Sequence, residues 1–505
     1  MYRLPIISGV LLTLAFFPFY LSPLAFVALA PLFYFVANPL YFRREIFIGG
    51  CLVGAIGVGP LIYFSLAQLT LFPDALLFTY LVRASSIPAL LLIATLFGGA
   101  VVVYHMLRSS SILLNSLVGA SVYLIVEVIL FFISGGYYYG SLAHAVVGFP
   151  PARVFAALGG ASLVSFLIAW AAALAAEVVY VWKERPRAAL RPAAFSILFL
   201  CAVYAGLSVY LYPTNSAARE PALLRVAVLQ LAPRAAGEIP FGEEAEGEFV
   251  NPMLAFQLAH AAQEADLLIY PFSPFSGIVS PSTDRAIGVF LAKTVPTSTT
   301  VVVWNTIAEG GALYDELAFW KNGVKSSYRK QKLYALSDYA PWWSFGLARS
   351  TFAISPGGQS EVLVAGTPVG GLICSELHQP VFAQKKVRES ALLLAVGSDT
   401  MFPGDFSGNF SLAAAQYRAA ENGVSVIRGN LLGPSAIIRQ NGSVDHLLVY
   451  GTSGVVGGSV SLHATRDTPY RLFGPWPLYA LVAGILCLAL LRRLNSKFLR
   501  MSAQR

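Results

Sequence analysis

The chain has 505 residues, 56% of them hydrophobic and only 12% charged, with a net charge of +8 and a mean hydropathy of +0.66. Soluble domains carry about 25% charged residues, so this composition in water would leave large apolar areas exposed. A simple cytosolic enzyme, a disordered chain and a collagen-like repeat are excluded.

In chain order, residues 1–212 are nearly all apolar runs. Residues 222–474 hold most of the Asp and Glu, and a last apolar run follows at 475–491. A bilayer core about 30 Å thick needs roughly 20 apolar residues in a helix. Eight spans are predicted, at about 4–20, 23–40, 46–68, 84–105, 111–134, 155–182, 192–212 and 475–491. The first two, joined at Ser22-Pro23, also read as one broken or hairpin-like segment. Phe16 to Phe19 and Tyr137 to Tyr139 have the composition of interfacial aromatic belts or of plain core packing. The predicted organisation is a transmembrane part over 1–221, an extramembrane domain over 222–474, and a span with a basic tail over 475–505.

With the N-terminus inside, the cytoplasmic ends hold Arg3, Arg43, Arg44, Arg108, Lys183, Arg185, Arg187 and Arg191. The tail adds Arg492, Arg493, Lys497, Arg500 and Arg505, against only Arg83 and Arg153 in the opposite loops. This asymmetry is a positive-inside signature, and it accounts for the basic balance without nucleic acid. It predicts that the large domain lies outside the cytoplasm, and the first span reads as an uncleaved anchor.

The extramembrane part reads as alternating strands and helices. Strands are predicted at Arg225–Leu231, Asp266–Pro271, Thr299–Asn305, Gly366–Cys374, Leu392–Ser398 and Ser425–Arg428. Helices are predicted at Leu254–Glu264 and about Ser411–Asn422. Such a rhythm implies a layered α/β domain, with ligands at the carboxyl ends of strands. Cys374 sits at one such end. Cys51, Cys201 and Cys487 fall in predicted spans, so Cys374 is the lone thiol of this domain.

Gly370-Gly371-Leu372-Ile373-Cys374-Ser375-Glu376 resembles the nucleophile strand of the nitrilase (carbon–nitrogen hydrolase) superfamily. Tyr328-Arg329-Lys330-Gln331-Lys332-Leu333, followed by Asp338-Tyr339-Ala340-Pro341, resembles its lysine segment. Arg418 to Gly423 is similar to the helix after the nucleophile, and Arg428 to Ser443 to the closing strands and hairpin. The span layout and Thr468-Pro469-Tyr470-Arg471 before the last span narrow the resemblance to the apolipoprotein N-acyltransferase family. The resemblance implies a multi-pass α-helical membrane protein with an extracytoplasmic αββα nitrilase-like domain. It implies Cys374 as nucleophile and Lys330, rather than Lys332, as the group that lowers the thiol pKa and stabilises the oxyanion. Cys374 is therefore expected to be an accessible thiol with a depressed pKa.

One departure stands out. The family places its glutamate base directly after the Pro that ends the second strand, whereas this chain has Tyr270-Pro271-Phe272-Ser273, with no carboxylate between Asp266 and Asp284. Phe272 marks the missing base, and Asp338 and Glu376 are the candidate substitutes. His378, four residues after Cys374, reads mainly as a packed histidine and secondarily as a Cys–His partner.

The implied reaction takes an acyl chain from a phospholipid onto Cys374 as a thioester, then passes it to the α-amine of S-diacylglyceryl-cysteine in a lipoprotein. The expected partners are these two substrates and the bilayer. Neither a cofactor nor a metal is implied, and no nucleic acid. The rival readings are an inactive lipid- or lipoprotein-binding homologue and a membrane-bound amidase.

Overall fold

In the computed structural model the described residues are 1–16, 21–61, 84–136, 140–182, 185–211, 223–230, 260, 264–271, 278–334, 338, 362–399, 405–462 and 467–502. Phe272, Phe17 to Phe19, Tyr137 to Tyr139 and the predicted helix at 254–264, apart from its residues 260 and 264, lie outside them. The described residues fall into two compact units, the apolar helices up to 211 with those after 472, and the α/β part between.

Among the described residues six helices are long and apolar enough to cross a membrane: Arg43–Leu61, Ser86–Leu107, Ile112–Ile133, Pro150–Trp182, Pro186–Leu211 and Trp476–Asn495. The two earliest predicted spans differ from expectation. Arg3–Ala15 has 13 residues, and Ser22–Ala37 is a shorter apolar stretch. At 1.5 Å per residue the first covers roughly 20 Å, short of a bilayer core of about 30 Å. The Pro150–Trp182 segment is two helices joined at a kink, because Gly159 and Gly160 leave helical geometry and Gly160 takes a φ of 77°.

This helical unit contains a buried ion pair. Arg108, assigned from sequence to a loop end, donates to both carboxylate oxygens of Glu177, which also accepts from the Tyr104 hydroxyl and the Asn115 amide. A carboxylate in an apolar bundle persists only with such partners. By contrast Phe195, Ile197, Leu198 and Phe199 are exposed on Pro186–Leu211, the surface expected of a helix solvated by acyl chains.

The α/β unit contains two sheets. The first runs β13-β1-β2-β4-β5-β6, with β3 paired to β4, and the second runs β12-β11-β10-β9-β8-β7. The strands of the first sheet are β1 (Leu223–Gln230), β2 (Leu267–Tyr270), β3 (Ile278–Val279), β4 (Thr300–Glu309), β5 (Ala312–Lys321), β6 (Val324–Arg329) and β13 (Gly454–Ser461). Those of the second are β7 (Leu363–Val364), β8 (Thr367–Ile373), β9 (Leu392–Gly397), β10 (Ser425–Asn430), β11 (Ser435–Ile438) and β12 (Val444–Leu448).

Alternation of side chains builds four layers. Leu224, Val226 and Val228 of β1 meet Leu392, Leu394 and Val396 of β9 in a core between the sheets. The intervening Ala227 and Leu229 face the helix Pro281–Thr294, and Leu393 and Ala395 face the helices Pro380–Val387 and Asp405–Asn422. Strands buried on both faces read as unbroken apolar runs, which is why these segments are legible in the sequence. The order helix–sheet–sheet–helix is the αββα arrangement expected.

The central strands β8, β9 and β10 run parallel, so their carboxyl ends share one edge. Cys374 follows β8 directly at that edge.

Leu394 is fully buried between the sheets, whereas Leu447 is exposed. Leu394→Ala is expected to destabilise the α/β unit by about 2–5 kcal/mol, and Leu447→Ala by under about 0.5 kcal/mol. Denaturant titration of the full chain in detergent checks this ranking.

Candidate active site

Two short turns align the first sheet's contribution. Gly310-Gly311 and Asn322-Gly323 have positive φ at both positions (60° and 81°, 48° and 74°), the geometry of tight two-residue hairpins. The first sets Thr306 opposite Asp315 on β4 and β5. The second sets Glu316 opposite Arg329 on β5 and β6, and the Lys330 amide then donates to the Asp315 carbonyl at 2.9 Å. Leu317 and Tyr328 point into the core between the sheets. By strand alternation Asp315 and Lys330 share that inward face.

Lys330 is 2% exposed, and its ammonium lies 2.5 Å from Asp338 and 3.7 Å from Asp315. An isolated buried ammonium would be discharged by desolvation. Here Cys374 when it is a thiolate, together with the Asp338 and Asp315 carboxylates, outweighs that desolvation and holds Lys330 above its usual range. Asp338 is fastened in turn: its Oδ2 accepts from the Tyr334 amide at 2.7 Å, and its own amide donates to the Tyr334 carbonyl. Asp315 accepts from the Thr306 hydroxyl at 3.1 Å, and burial pushes its carboxyl up to about 6.

Glu376 is fully buried and saturated. Oε2 accepts from the Tyr328 hydroxyl (2.7 Å) and the Ile373 amide (2.8 Å), Oε1 from the Gln331 (2.7 Å) and Lys332 (3.0 Å) amides. One carboxylate thus ties the end of β8 to the segment after β6, and hence the Cys374 turn to the Lys330 segment. With four donors on it, Glu376 is a brace rather than a free proton acceptor. Burial nevertheless raises its pKa above the ordinary value.

Cys374 adopts a φ of 48° at the start of the short helical turn Cys374–His378. A side chain held in that left-handed region costs about 1–3 kcal/mol, and the Glu376 bonds on either side supply the restraint. The strain lifts the thiol out of the strand line. Gly397, its parallel neighbour on β9, is where an added Cβ would come to 3.4 Å from the Cys374 Cα.

The thiol itself departs from expectation. Cys374 is half-buried, and desolvation raises its pKa by more than Lys330 lowers it, with Asp338, Asp399 and Asp315 adding to the rise. The sequence signalled the lysine and Asp338 but not the depth of the site or the part played by Asp399 and Asp315. In the resting site the thiol carries its proton.

Lys332 is exposed and contributes its backbone amide, so the two candidate lysines are separated by burial. His378 stacks on Phe410 at 5.1 Å, with Nε2 3.3 Å from the Ser411 hydroxyl. Asp399, after β9, was not singled out in sequence. It accepts from Arg428 (2.9 Å) and Asn430 (3.0 Å) and braces the adjoining strand ends. Asp315 was also missed, although counting residues outward from Asn322-Gly323 places it opposite Lys330.

The arrangement comprises a thiol on a strained strand end, a buried ammonium within its electrostatic reach, and carboxylates around the ammonium. Such a set suits acyl transfer, in which the thiolate attacks a carbonyl and the cation stabilises the oxyanion. The class is a multi-pass membrane protein bearing an αββα thiol–lysine–carboxylate centre. Residues 8–174 match the family model of the apolipoprotein N-acyltransferase N-terminal domain. The apolipoprotein N-acyltransferase of Pseudomonas paraeruginosa is 28% identical over 368 residues, 70% of this chain and 68% of that protein. That of Pseudomonas syringae pv. tomato is 29% identical over 67% of this chain and 66% of that protein. Among solved structures, a CN-hydrolase superfamily protein from Xanthomonas campestris aligns over 47% of this chain and 91% of its own, with 18% identity and a TM-score of 0.34. A carbon–nitrogen hydrolase from Helicobacter pylori aligns over 50% and 94%, with 11% identity and a TM-score of 0.37. The chain is similar to these apolipoprotein N-acyltransferases over about two thirds of its length.

Alkylation of Cys374 is expected to rise with pH through an apparent pKa above the free-thiol value of about 8.5. Lys330→Met removes a cation that lowers this pKa and should slow alkylation at pH 8 further, while Lys332→Met leaves the profile in place. Rates of iodoacetamide labelling, read by mass spectrometry, check both.

Proposed function

We propose that the protein is a membrane N-acyltransferase of lipoprotein maturation. Cys374 attacks an ester carbonyl of a phospholipid, forming a thioester and releasing a lysophospholipid. The α-amine of an S-diacylglyceryl-cysteine then attacks the thioester carbonyl, and an amide forms as the thiolate leaves. Lys330 stabilises the oxyanion in both steps. Asp338 keeps Lys330 charged, and Glu376 fixes the nucleophile turn against the lysine segment.

The observation that carries this reading is the buried Lys330 ammonium held by Asp338 within electrostatic reach of Cys374. The apolar helices supply the setting that a two-tailed acyl donor requires. The placement of the α/β unit outside the cytoplasm, at a bacterial inner membrane, rests on the asymmetry of Lys and Arg in the loops. Phe272 at the position of the family's base gives one specific reason for the alternative of an inactive lipid-binding homologue.

Purified protein given phospholipid with a labelled acyl chain should form a hydroxylamine-labile adduct on Cys374, absent in Cys374→Ala. Lys330→Ala should lower its formation by about 10²–10³-fold, the usual cost of losing an oxyanion donor. A folded protein that binds lipid without forming the adduct would establish the inactive homologue, and turnover of a small amide instead would establish the amidase.

Sidedness has its own check. A cysteine introduced at Ser443 should react with an impermeant reagent in cells whose outer barrier is opened. Protection of that cysteine would place the α/β unit on the cytoplasmic side.

A further inference from the structure

We infer that Asp315 stands in for the absent glutamate as the proton store of the site, exchanging protons with the reacting groups through Lys330 Nζ. The inference rests on the acyltransferase reading.

The chemistry needs such a group. A thiolate is a far better leaving group than the alkoxide of a lysophospholipid. A tetrahedral intermediate carrying both therefore collapses back to the ester unless the departing oxygen receives a proton. The thiol that begins the cycle must give up a proton as well. One store serves both needs, provided it reaches the reacting atoms and binds a proton near neutral pH.

Among the described residues four carboxylates lie at the site: Asp399 is held by Arg428 and Asn430, and the other three are divided by their partners. Glu376 accepts four hydrogen bonds and has no capacity left. Asp338 is committed to the Lys330 ammonium at 2.5 Å and to the Tyr334 amide. Asp315 is 6% exposed, stands 3.7 Å from the same ammonium and accepts the Thr306 hydroxyl. The charged and polar groups that bear on it are Lys330, Asp338, Thr306 and Trp304, and its own charge acts on Cys374. Asp338 opposes its ionisation and Lys330 favours it; with burial the result lies at about 6. Asp315 is thus the carboxylate that protonates without dismantling the Lys330–Asp338 pair. Its place on β5, in register with Thr306 and next to Lys330, gives it a rigid seat.

The steps balance. Lys330 passes one ammonium proton to Asp315 and takes the thiol proton, leaving thiolate, ammonium and neutral Asp315. The S–C bond forms and the carbonyl electrons move to oxygen. As the oxyanion collapses, the ester C–O bond breaks. The leaving oxygen takes a proton from Lys330, which recovers one from Asp315. In the second half the attacking amine loses its proton to Asp315 by the same route, and the released thiolate is protonated from it.

The test compares Asp315→Asn with the native full chain in detergent, in two assays. In single-turnover acylation by labelled phospholipid, the native rate should climb with pH through a limb near 6, as Asp315 becomes a carboxylate. Asp315→Asn should lose about 10²–10⁴-fold at neutral pH and lose that limb. Alkylation by iodoacetamide needs no acyl chemistry. There Asp315→Asn removes a negative charge that raises the thiol pKa, so Cys374 should label faster near neutral pH. A thiol more reactive to alkylation yet slower to acylate is an outcome that misfolding does not produce. Asp315→Glu, which keeps the carboxylate, should restore the limb. An unchanged limb in Asp315→Asn would overturn the assignment, as would an equal loss at every pH with slower alkylation. If the native chain forms no acyl adduct, the acyltransferase reading falls; unchanged alkylation in Asp315→Asn would independently remove Asp315 from the thiol's surroundings.

Discussion

The site depends on keeping one ammonium charged inside the α/β core. Lys330 is buried where water cannot solvate it, and desolvation alone would strip its proton. The Asp338 carboxylate at 2.5 Å reverses that balance, and Asp315 adds to it. Removing one partner of a buried ion pair typically costs about 3–5 kcal/mol, because the remaining charge is stranded. The pair is therefore weak evidence for stability and strong evidence for purpose, since an apolar residue would fill the same space at no electrostatic cost.

The remaining polar structure exists to place the thiol beside that charge. Glu376 spends both oxygens on four donors drawn from β6, the lysine segment and the end of β8. It couples two stretches 45 residues apart in sequence, and it holds Cys374 in its left-handed conformation. Asp399, with Arg428 and Asn430, braces the adjoining strand ends. The result is a polar cluster at the margin of an apolar core, rigid because nearly every acceptor is used.

In the membrane-type unit the same rule operates with different emphasis. Arg108, Glu177, Tyr104 and Asn115 satisfy one another within the helix bundle. Glu127 accepts from Ser165 at 2.8 Å and from Ser141. Apolar side chains elsewhere face outward, where acyl chains and not water are the solvent. Pro186–Leu211 buries only Ala189, Ser196 and Leu211, whereas Ile112–Ile133 and Pro150–Trp182 are mostly buried.

Composition and periodicity alone determined the membrane character, the strands buried on both faces, and the turn where Cys374 ends β8, since each follows from short-range pattern. Burial of β2, β8, β9 and β10 on two sides makes their apolar runs conspicuous, and the resemblance in the Cys374 and Lys330 segments covers residues adjacent in sequence. The tertiary structure decided what depends on depth and on pairing at a distance. The first two apolar runs form short helices, a matter of local breaks that hydropathy averages over. The Cys374 thiol is raised and not lowered, because desolvation and three carboxylates act on it together with one lysine. Glu376, a candidate base by spacing, is consumed as a brace by donors that sequence cannot assign to it. Asp315 emerged only when the register of β4, β5 and β6 brought it under Lys330. A pKa is set by the sum of charges and solvent around a group in space, and no single stretch of chain contains that sum.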